Sequence, residues 1–597
     1  MRLLSDFLNG KEKGVFLYTA LKDKDNKKSY LFINPVDEIT CRSRSGIKAC
    51  FQKVQKYTDR GYYAAGYFTF EAGYIMEKKL GKKTGMPREI FKMGIYKKPI
   101  VFRNLKIRQE KHGARDFWLY NIRPDTLPAE YRKKFRKIKE YIREGEIYQV
   151  NYCFKLKYRF AGLAGGLFKK LCEEQKVAYA GFINDGSKQV ITLSPEKFFS
   201  IKGRNIEMKP MKGTVLKNAE CGMRNAKLKL RSDKNKAENL MIVDLIRNDL
   251  GRICDVKSVR VPRLFSAEEY KTLFQMTSTV TGRLRKNTGF YGIFKAVFPS
   301  GSVTGAPKIR AMEIIKELEK EERGVYTGAI GYMSKKSSVF NIPIRTAVID
   351  IEKGEGEMGI GSGVVNDSKP GAEYRECIGK AGFFTSLIRK YRIFESILLK
   401  DGKYTLLNRH LKRLKSGAEY FGITVNMGAV RKKLKKLSVK KGAYKVKLLV
   451  DSRGVIETRC SRVSLSPGKV LFAAQSRETT DSNNPFYRFK TTNRELYDRE
   501  YRKYREKGFQ EVIFTNEKGE VTEARSSNVF VKVKNTLFTP PVKCGLLPGT
   551  LRQDLLASGE CREKVIHTAG LGKAEVFLGN SVRGLRRVRV KIENNKK

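Results

Sequence analysis

The sequence predicts an α/β (α+β) protein of 597 residues, read as three consecutive regions, 1–115, 116–388 and 391–597. Three observations carry this reading. Short apolar strand-like runs between charged turns fill the first region, and a long stretch mixing strands with amphipathic helices follows in the second. Near "KAGFFTSLIRKYRIFESILLKDGKYTLLNRH" the pattern restarts, which opens a separate domain of roughly 205 residues with its boundary near 385–392. A hydrophobic fraction of 41%, with aromatic residues 11% of the chain, supplies enough apolar surface for sizeable cores despite 31% charged residues.

In the first region "YLFINPV" and "GYFTFEAGYIM" read as strands between charged turns. In "KPMKGT", Lys209 to Thr214, Lys212 lies between a proline and a Gly-Thr pair, a pattern that predicts a turn fixing the direction of its amine before a long basic helix. The bland alternative is a solvated surface charge, one of 122 lysines and arginines. "AENLMIVDLIRNDLGR" reads as a helix with Leu240, Val243 and Ile246 on one face and Glu238 near its start. "PSGSVTGAPKIRAMEIIKELEKEERG" reads as a glycine-rich turn feeding a helix, with Pro307 at the first position, Ile309, Met312, Ile315 and Leu318 on one face and Gly324 as the stop. Its free N–H groups suit an anion, although the spacing is not that of a Walker A loop. "PGAEYRECIGKA" places Glu373 and Glu376 at i,i+3 on another helix. In the third region Asp401-Gly402 reads as a hairpin turn, with a helix from Leu411.

Composition excludes several classes. The N-terminus has no secretory pattern and no run reaches 18 apolar residues, so a soluble cytoplasmic protein without a membrane partner is expected. Ten cysteines without a C-x-x-C pair fit a reducing compartment. With three histidines, His112, His410 and His567, any metal is expected on carboxylates, which points to magnesium. The net charge of +60 raises nucleic-acid binding as an alternative, but basic residues are interleaved with acidic ones and no nucleic-acid motif is present.

In chain order "GEIYQVN", "LSPEKFF", "PMKGT", "AENLMIVDLIRNDLGR", "MTSTVTG", "PSGSVTGAPK", "IPIRTAVI" and "GSGVVNDS" with "EYREC" resemble the chorismate-binding enzymes, whose fold is a two-sheet α/β sandwich. The resemblance covers roughly residues 15 to 385 and implies that 1–115 is the N-terminal part of a synthase component I region and 116–388 its catalytic domain. It implies Glu238 and Glu376 as magnesium ligands, with Glu373 nearby, and Ser302, Tyr326, Arg345 and Gly363 as contacts of chorismate, Arg345 clamping a carboxylate. Within the family, anthranilate synthases resemble one another in an alanine before the Gly-Thr pair, whereas aminodeoxychorismate synthases carry lysine there, as this chain does at Lys212. A positioned lysine can attack the ring and expel its hydroxyl, ammonia then displacing the lysine. Glu196 is the family's candidate general acid. Gln275 stands where many relatives have a histidine linked to pyruvate elimination, which fits an enzyme that stops at aminodeoxychorismate.

The third region's "RHLKRLKSGAEYFG", "FKTTNR", "GEVTEARSSNVF", "GLLPGTLRQDLL" and "VFLGNSVRG" resemble the fold-type IV pyridoxal-phosphate enzymes. By that resemblance Lys490 is the Schiff-base lysine, Glu523 the pyridinium partner, and Arg413, Thr550, Leu551 and Ser581 the phosphate cup. "PGTLR" departs from the more usual "PGITR". The family includes aminotransferases and aminodeoxychorismate lyase, and the motifs alone do not decide between them. Fusion to a domain that would make aminodeoxychorismate favours the lyase. Together the resemblances imply a bifunctional synthesis of p-aminobenzoate for folate, with magnesium and PLP as cofactors and a homodimer through the PLP domain. None of the cysteines has the G-x-C-x-G context of a glutaminase nucleophile, so ammonia is expected from a separate glutamine amidotransferase subunit or from free ammonium. The rival is an anthranilate synthase component fused to an aminotransferase.

Overall fold

The computed structural model describes residues 2–21, 26–81, 89–107, 117–216, 232–269, 273–388, 390–437, 441–465, 470–572 and 574–591. The chain forms two compact units, Met1–Leu387 and Ile388–Lys597. The expected division near 115, His112 and most of the basic segment after Thr214 lie outside the described residues.

The first unit is built on two ten-stranded antiparallel sheets, so its α+β form is the one realised. One runs from the Gly305–Ala306 strand through Gln149–Gly162, Glu355–Val364, Thr346–Asp350, Lys188–Ser194, Tyr179–Asn184, Gly14–Tyr18 and Ser29–Ile33 to Ile100–Phe102, with Phe117–Pro124 on the side. The other contains Met211–Leu216, Leu273–Arg283, Lys197–Lys202, Ala329–Met333 and Tyr63–Phe68. Strands from before and after residue 115 alternate within each sheet, because Gly14–Tyr18 pairs with Tyr179–Asn184 and Tyr63–Phe68 with Ala329–Met333. Phe32, Tyr67, Ile183, Val190 and Ile330 interdigitate between the two sheets. On the far face of the second sheet, Phe68, Phe199 and Phe340 bury their rings against Phe51 of the helix Ile47–Asp59 and Phe294 of the helix Phe290–Val297, with the helix Asp233–Gly251 in the same core. Each such ring contributes roughly 1.5–3 kcal/mol by leaving water.

Several local expectations are corrected. "GYFTFEAGYIM" is not one strand: the strand ends at Phe68 and Ala72–Met76 is a helix buried on all sides. A continuous apolar run has no period, so it cannot separate a core strand from a core helix. In Asp233–Gly251 the buried stripe is Asn239, Ile242, Val243, Ile246 and Leu250, and Leu240 is 45% exposed. Pro307 is the N-cap of Lys308–Leu318, and that helix stops at Leu318, six residues before Gly324 at φ 63°. Glu319 ends the helix because its carboxylate turns inward to a buried arginine.

The second unit has a four-stranded antiparallel sheet and an eight-stranded mixed sheet. Asp401 and Gly402, at φ 46° and 80°, form the two-residue turn between Ile393–Lys400 and Lys403–Tyr404, as expected of a hairpin whose twist requires left-handed residues. The following helix, Leu407–Tyr420, begins four residues before Leu411, after Leu406 turns the chain at φ 52°. Its buried face, His410, Leu411, Leu414 and Ala418, packs on the Ile393–Lys400 strand. In the mixed sheet Leu471–Gln475 runs parallel to both Glu511–Thr515 and Gly584–Lys591.

Candidate active sites

Lys212 sits in the Met211–Leu216 strand and not in a free turn. It pairs with Met276, and Thr214 pairs with Gln275, so Gly213 at φ 73° is the extra residue of a β-bulge. The bulge re-aims the strand where an L side chain would be strained, which is the physical content of the Gly-Thr pair. The Lys212 side chain is 14% exposed, with Nζ 3.8 Å from Glu238 Oε2 on the neighbouring helix. Burial pushes its ammonium down, Lys380 assists, and Glu238, Glu196 and Glu376 oppose.

Glu196 follows the Lys188–Ser194 strand, its backbone fixed by the Ser194 hydroxyl and by Ile342. Ser302 donates its hydroxyl to Glu196 Oε1 at 2.8 Å. Burial pushes the Glu196 carboxyl up to about 7, against that hydrogen bond and the Lys212 charge. Ser302 belongs to the one-turn helix Gly301–Val303, whose Gly301 lies so close to Leu245 that a Cβ would come within 2.2 Å of its side chain. Asn151 Nδ2 donates to the Ser302 carbonyl, and Asn151 stands opposite Gly363 in the paired strands. A Cβ on Gly363 would come within 2.7 Å of Gln149 Nε2. Gln149 is fully buried, and neither polar atom of its amide has a partner among the described residues. An orphaned amide beside Gly363 and Ser302 is available to a ligand.

The remaining expected residues divide. Glu376 pairs with Lys380 at 2.8 Å, and Glu373 accepts the Ser368 hydroxyl at 2.8 Å. No group of three metal-ligating side chains is preassembled among the described residues. The donor chemistry nonetheless suits magnesium, since the carboxylates on Asp233–Gly251 and Pro370–Lys380 that act on Lys212 are hard oxygen ligands. Tyr326 is buried against Gly359, its hydroxyl pushed well up by burial, with Arg323 among the charges acting on it. Arg345, at φ 53°, donates to Gln175 Oε1 at 2.6 Å and lies 6.0 Å from the Phe383 ring.

Arg323, which sequence reasoning missed, ties these pieces together. Its side chain is 3% exposed, and its five donors reach the Glu319 carboxylate, the Val303 and Asn151 carbonyls and the Thr327 hydroxyl. Its guanidinium covers the Phe70 ring at 4.3 Å, and Glu71 accepts its backbone N–H at 2.7 Å. One residue therefore holds the Ser302 turn, the strand opposite Gly363 and the segment bearing Tyr326. The "EERG" charge run hid it, because four consecutive charged or turn residues read as solvated loop.

In the second unit a cavity of about 770 Å³ is lined by Lys490, Glu523, Arg413, Thr550 and Ser581, among others. Burial pushes the Lys490 amine down to about 7, with Arg413 and Arg494 adding to the effect. Glu523 accepts from the Tyr497 hydroxyl at 3.0 Å and the Leu547 N–H at 3.3 Å, and burial raises it to about 6. Thr550 and Leu551 open the helix Thr550–Ala557, so their N–H groups have no intrahelical partner. An amine, an opposed acid, a hydroxyl and a helix N-terminus in one cavity are the donor set PLP needs, and the residues fit it.

Arg413 is more than an open phosphate donor. It forks onto Glu395 at 2.9 and 2.6 Å and gives a further hydrogen bond to the Pro548 carbonyl. Glu395 also takes His410 Nδ1 at 2.7 Å, which leaves His410 Nε2 facing the Ser581 and Thr550 hydroxyls at 3.0 and 3.2 Å. Burial alone would raise Glu395, but Arg413 and His410 hold it down at about 2. Sequence reasoning missed Glu395 and His410. The available signal was an acid amid the apolar run "RIFESILL" and a His410–Arg413 pair at i,i+3 on one helix face.

These features define a chain of two enzyme-like units: an antiparallel sandwich with a buried lysine–glutamate centre, then a mixed-sheet unit with a PLP-type lysine. The chain belongs to the chorismate binding enzyme family, matched over residues 16–386, and residues 392–590 match amino-transferase class IV. It is 40% identical over 262 residues to aminodeoxychorismate synthase component 1 of Klebsiella aerogenes, covering 43% of this chain and 57% of that protein. It is 36% identical over 268 residues to anthranilate synthase component 1 of Aquifex aeolicus, covering 44% and 53%. The chain thus spans somewhat over half the length of these relatives. The crystal structure of anthranilate synthase component I from Streptococcus pneumoniae TIGR4 superposes with a TM-score of 0.53 at 26% identity, covering 61% of this chain and 93% of that one. No helix among the described residues is long and apolar enough to cross a membrane.

Arg323→Ala should destabilise the protein by about 3–5 kcal/mol, because it leaves the buried Glu319 carboxylate unpaired. Adding Glu319→Gln should recover part of that loss in denaturant unfolding; additive losses would show that the two side chains do not act as a pair.

Proposed function

We propose that the chain converts chorismate to p-aminobenzoate in two reactions, one in each unit. The carrying observation is the buried Lys212 amine in contact with Glu238 and within the field of Glu196, in the lysine position that the sequence resemblance associates with amination para to the ring carboxylate. The similarity to aminodeoxychorismate synthase component 1 supports the substrate.

In the first unit, Ser302, Tyr326, Gly363 and Arg345 receive chorismate, Arg345 taking a carboxylate. Glu238 and Glu376, with Glu373 beside them, would hold magnesium, which supplies positive charge to the substrate carboxylate. The neutral Lys212 amine forms a C–N bond to the ring as the C–O bond to the ring hydroxyl breaks. Glu196, protonated up to about pH 7, gives its proton so that water leaves. Ammonia then forms its own C–N bond and releases Lys212. The net change is chorismate and ammonia to aminodeoxychorismate and water. A glutamine amidotransferase subunit, or free ammonium at high concentration, supplies the ammonia.

In the second unit, Glu523 would face the ring nitrogen of PLP, and Thr550, Leu551, Ser581 and Arg413 its phosphate. When bound, PLP is the electron sink that acidifies the carbon bearing the substrate's amine. Lys490, with an amine pushed to about 7, is the base placed to take that proton. The enolpyruvyl ether leaves as pyruvate, and aromatisation of the ring drives the step. The fusion supports this reading over transamination, since the first unit makes the compound the second would consume.

Full-length protein with chorismate, magnesium, ammonium and PLP should release p-aminobenzoate and pyruvate; anthranilate as the sole aromatic product would overturn the proposal. Lys490→Ala should lose the visible absorbance of enzyme-linked PLP and accumulate aminodeoxychorismate, detected by chromatography. Lys212→Ala should abolish the first reaction while converting supplied aminodeoxychorismate at the normal rate. For the first reaction, kcat/KM should fall above about pH 7 as Glu196 loses its proton, and Glu196→Gln should remove that alkaline limb.

A further inference from the structure

We infer that Lys445 and Lys447, with Arg494, form a carboxylate-binding site in the cavity of the second unit that selects a dicarboxylate substrate over a monocarboxylate amino acid. The inference rests on the reading of that unit given above and names the residues that would enforce it.

In the strand Ala443–Val450, Lys445 and Lys447 alternate with the buried Val446 and Leu448 and line the cavity that holds Lys490, and Leu449 and Val450 beyond them are both buried. Lys447 Nζ lies 4.7 Å from the centroid of the Phe394 ring, and Lys490 Nζ lies 5.0 Å from the same centroid. The two amines therefore share one aromatic wall. Arg494, four residues past Lys490, lies over the Tyr497 ring at 4.8 Å and donates to the Arg525 carbonyl.

Among the described residues no carboxylate lies within ion-pair distance of these cations, although Asp498 acts on Lys447 and Arg494 acts on Glu523 and Glu511. Neither Lys445 nor Lys447 makes an ion pair or a side-chain hydrogen bond, and Arg494 meets a carbonyl and a ring but no carboxylate. The acids of the cavity wall make their hydrogen bonds and ion pairs to other groups, and only Glu511 Oε2 among their oxygens is buried without a partner among the described residues. Asp498 pairs with Arg525 at 3.0 Å, Glu511 takes the Ser526 hydroxyl at 3.0 Å, and Glu523 is held by Tyr497 and Leu547. The wall also carries Arg583 and Arg586. Burial pushes both lysine amines down; Lys447, Arg583 and Arg525 add to this at Lys445, and Arg459, Arg392 and Arg494 add to it at Lys447, where Asp498 opposes.

A surplus of like charge in a concave site is relieved by an anionic ligand, and the surplus here exceeds what the PLP phosphate would take. The phosphate donors Thr550, Leu551 and Ser581 lie on other elements, so Lys445, Lys447 and Arg494 remain for a second anion. Three cations suit two carboxylates; an amino acid with a neutral side chain brings one.

The test uses full-length, PLP-loaded protein and the variants K447Q and K445Q/K447Q. With supplied aminodeoxychorismate, the double variant should raise KM about tenfold or more, because a charged hydrogen bond to each carboxylate is lost. Its PLP absorbance should be unchanged. A KM within twofold of the wild type would overturn the inference. Calorimetry with benzene-1,3-dicarboxylate and with benzoate reads the same site without turnover. Tighter binding of the dicarboxylate, lost in the double variant, supports it, and equal binding of the two overturns it. A wild type that fails to convert aminodeoxychorismate yet still prefers the dicarboxylate would sink the proposed lyase reaction and leave the carboxylate site standing.

Discussion

A lysine amine in water keeps its proton to about pH 10.4, and a protonated amine can neither attack a ring carbon nor accept a proton. Both units meet this constraint by withdrawing a lysine from water, and much of each site follows from that. The balance around the two amines differs. Lys212 is opposed by Glu238, Glu196 and Glu376, which favour its charged form and temper the effect of burial. At Lys490 burial is the largest effect, Arg413 and Arg494 add to it, and Glu395 and Glu523 oppose less strongly, which leaves the amine at about 7. The first amine therefore keeps acids at hand, one of them protonated near neutrality. The second has cations as its strongest neighbouring charges.

Desolvated charge is tolerable only where the surrounding backbone cannot relax away from it. Each unit places one saturated buried ion pair close to its reactive residues. Arg323 and Glu319 hold the segments carrying Ser302, Tyr326 and the partner of Gly363. Glu395, gripped by Arg413 and His410, fixes the direction from which His410 meets the Ser581 and Thr550 hydroxyls. Buried pairs of this kind add little net stability once desolvation is counted, but breaking one leaves a stranded charge. Their effect is to make a displaced geometry expensive.

That Lys212, Glu196 and Ser302 lie together was legible from motif order, and the structure sets Ser302 on Glu196 with Lys212 in the field of both Glu196 and Glu238. The hairpin at Asp401-Gly402 was legible because its turn type demands left-handed residues. What failed was anything decided by tertiary burial. Leu240 looks apolar and faces out, whereas Asn239 looks polar and is fully buried. The "KPMKGT" turn became a bulge because a strand partner, Leu273–Arg283, exists only once the sheet has formed. Arg323 and Glu395 were invisible for a related reason: a charge is read as solvated until its partner, 4 residues away for one and 15 to 18 for the other, folds against it.

The overall charge of +60 bears on both sites in a limited way. A strongly positive surface raises the local concentration of small dianions and speeds their encounter. At physiological salt that field is screened beyond about 8 Å, so it cannot distinguish one small anion from another. Discrimination has to come from cations that are partly desolvated, fixed in direction and unpaired until the ligand arrives. Most of the basic residues fail those conditions, since they are exposed or already matched to an acid. Lys447 and Arg494, half-buried on the wall of one cavity and each set over an aromatic ring, come nearest to these conditions, with the exposed Lys445 beside them.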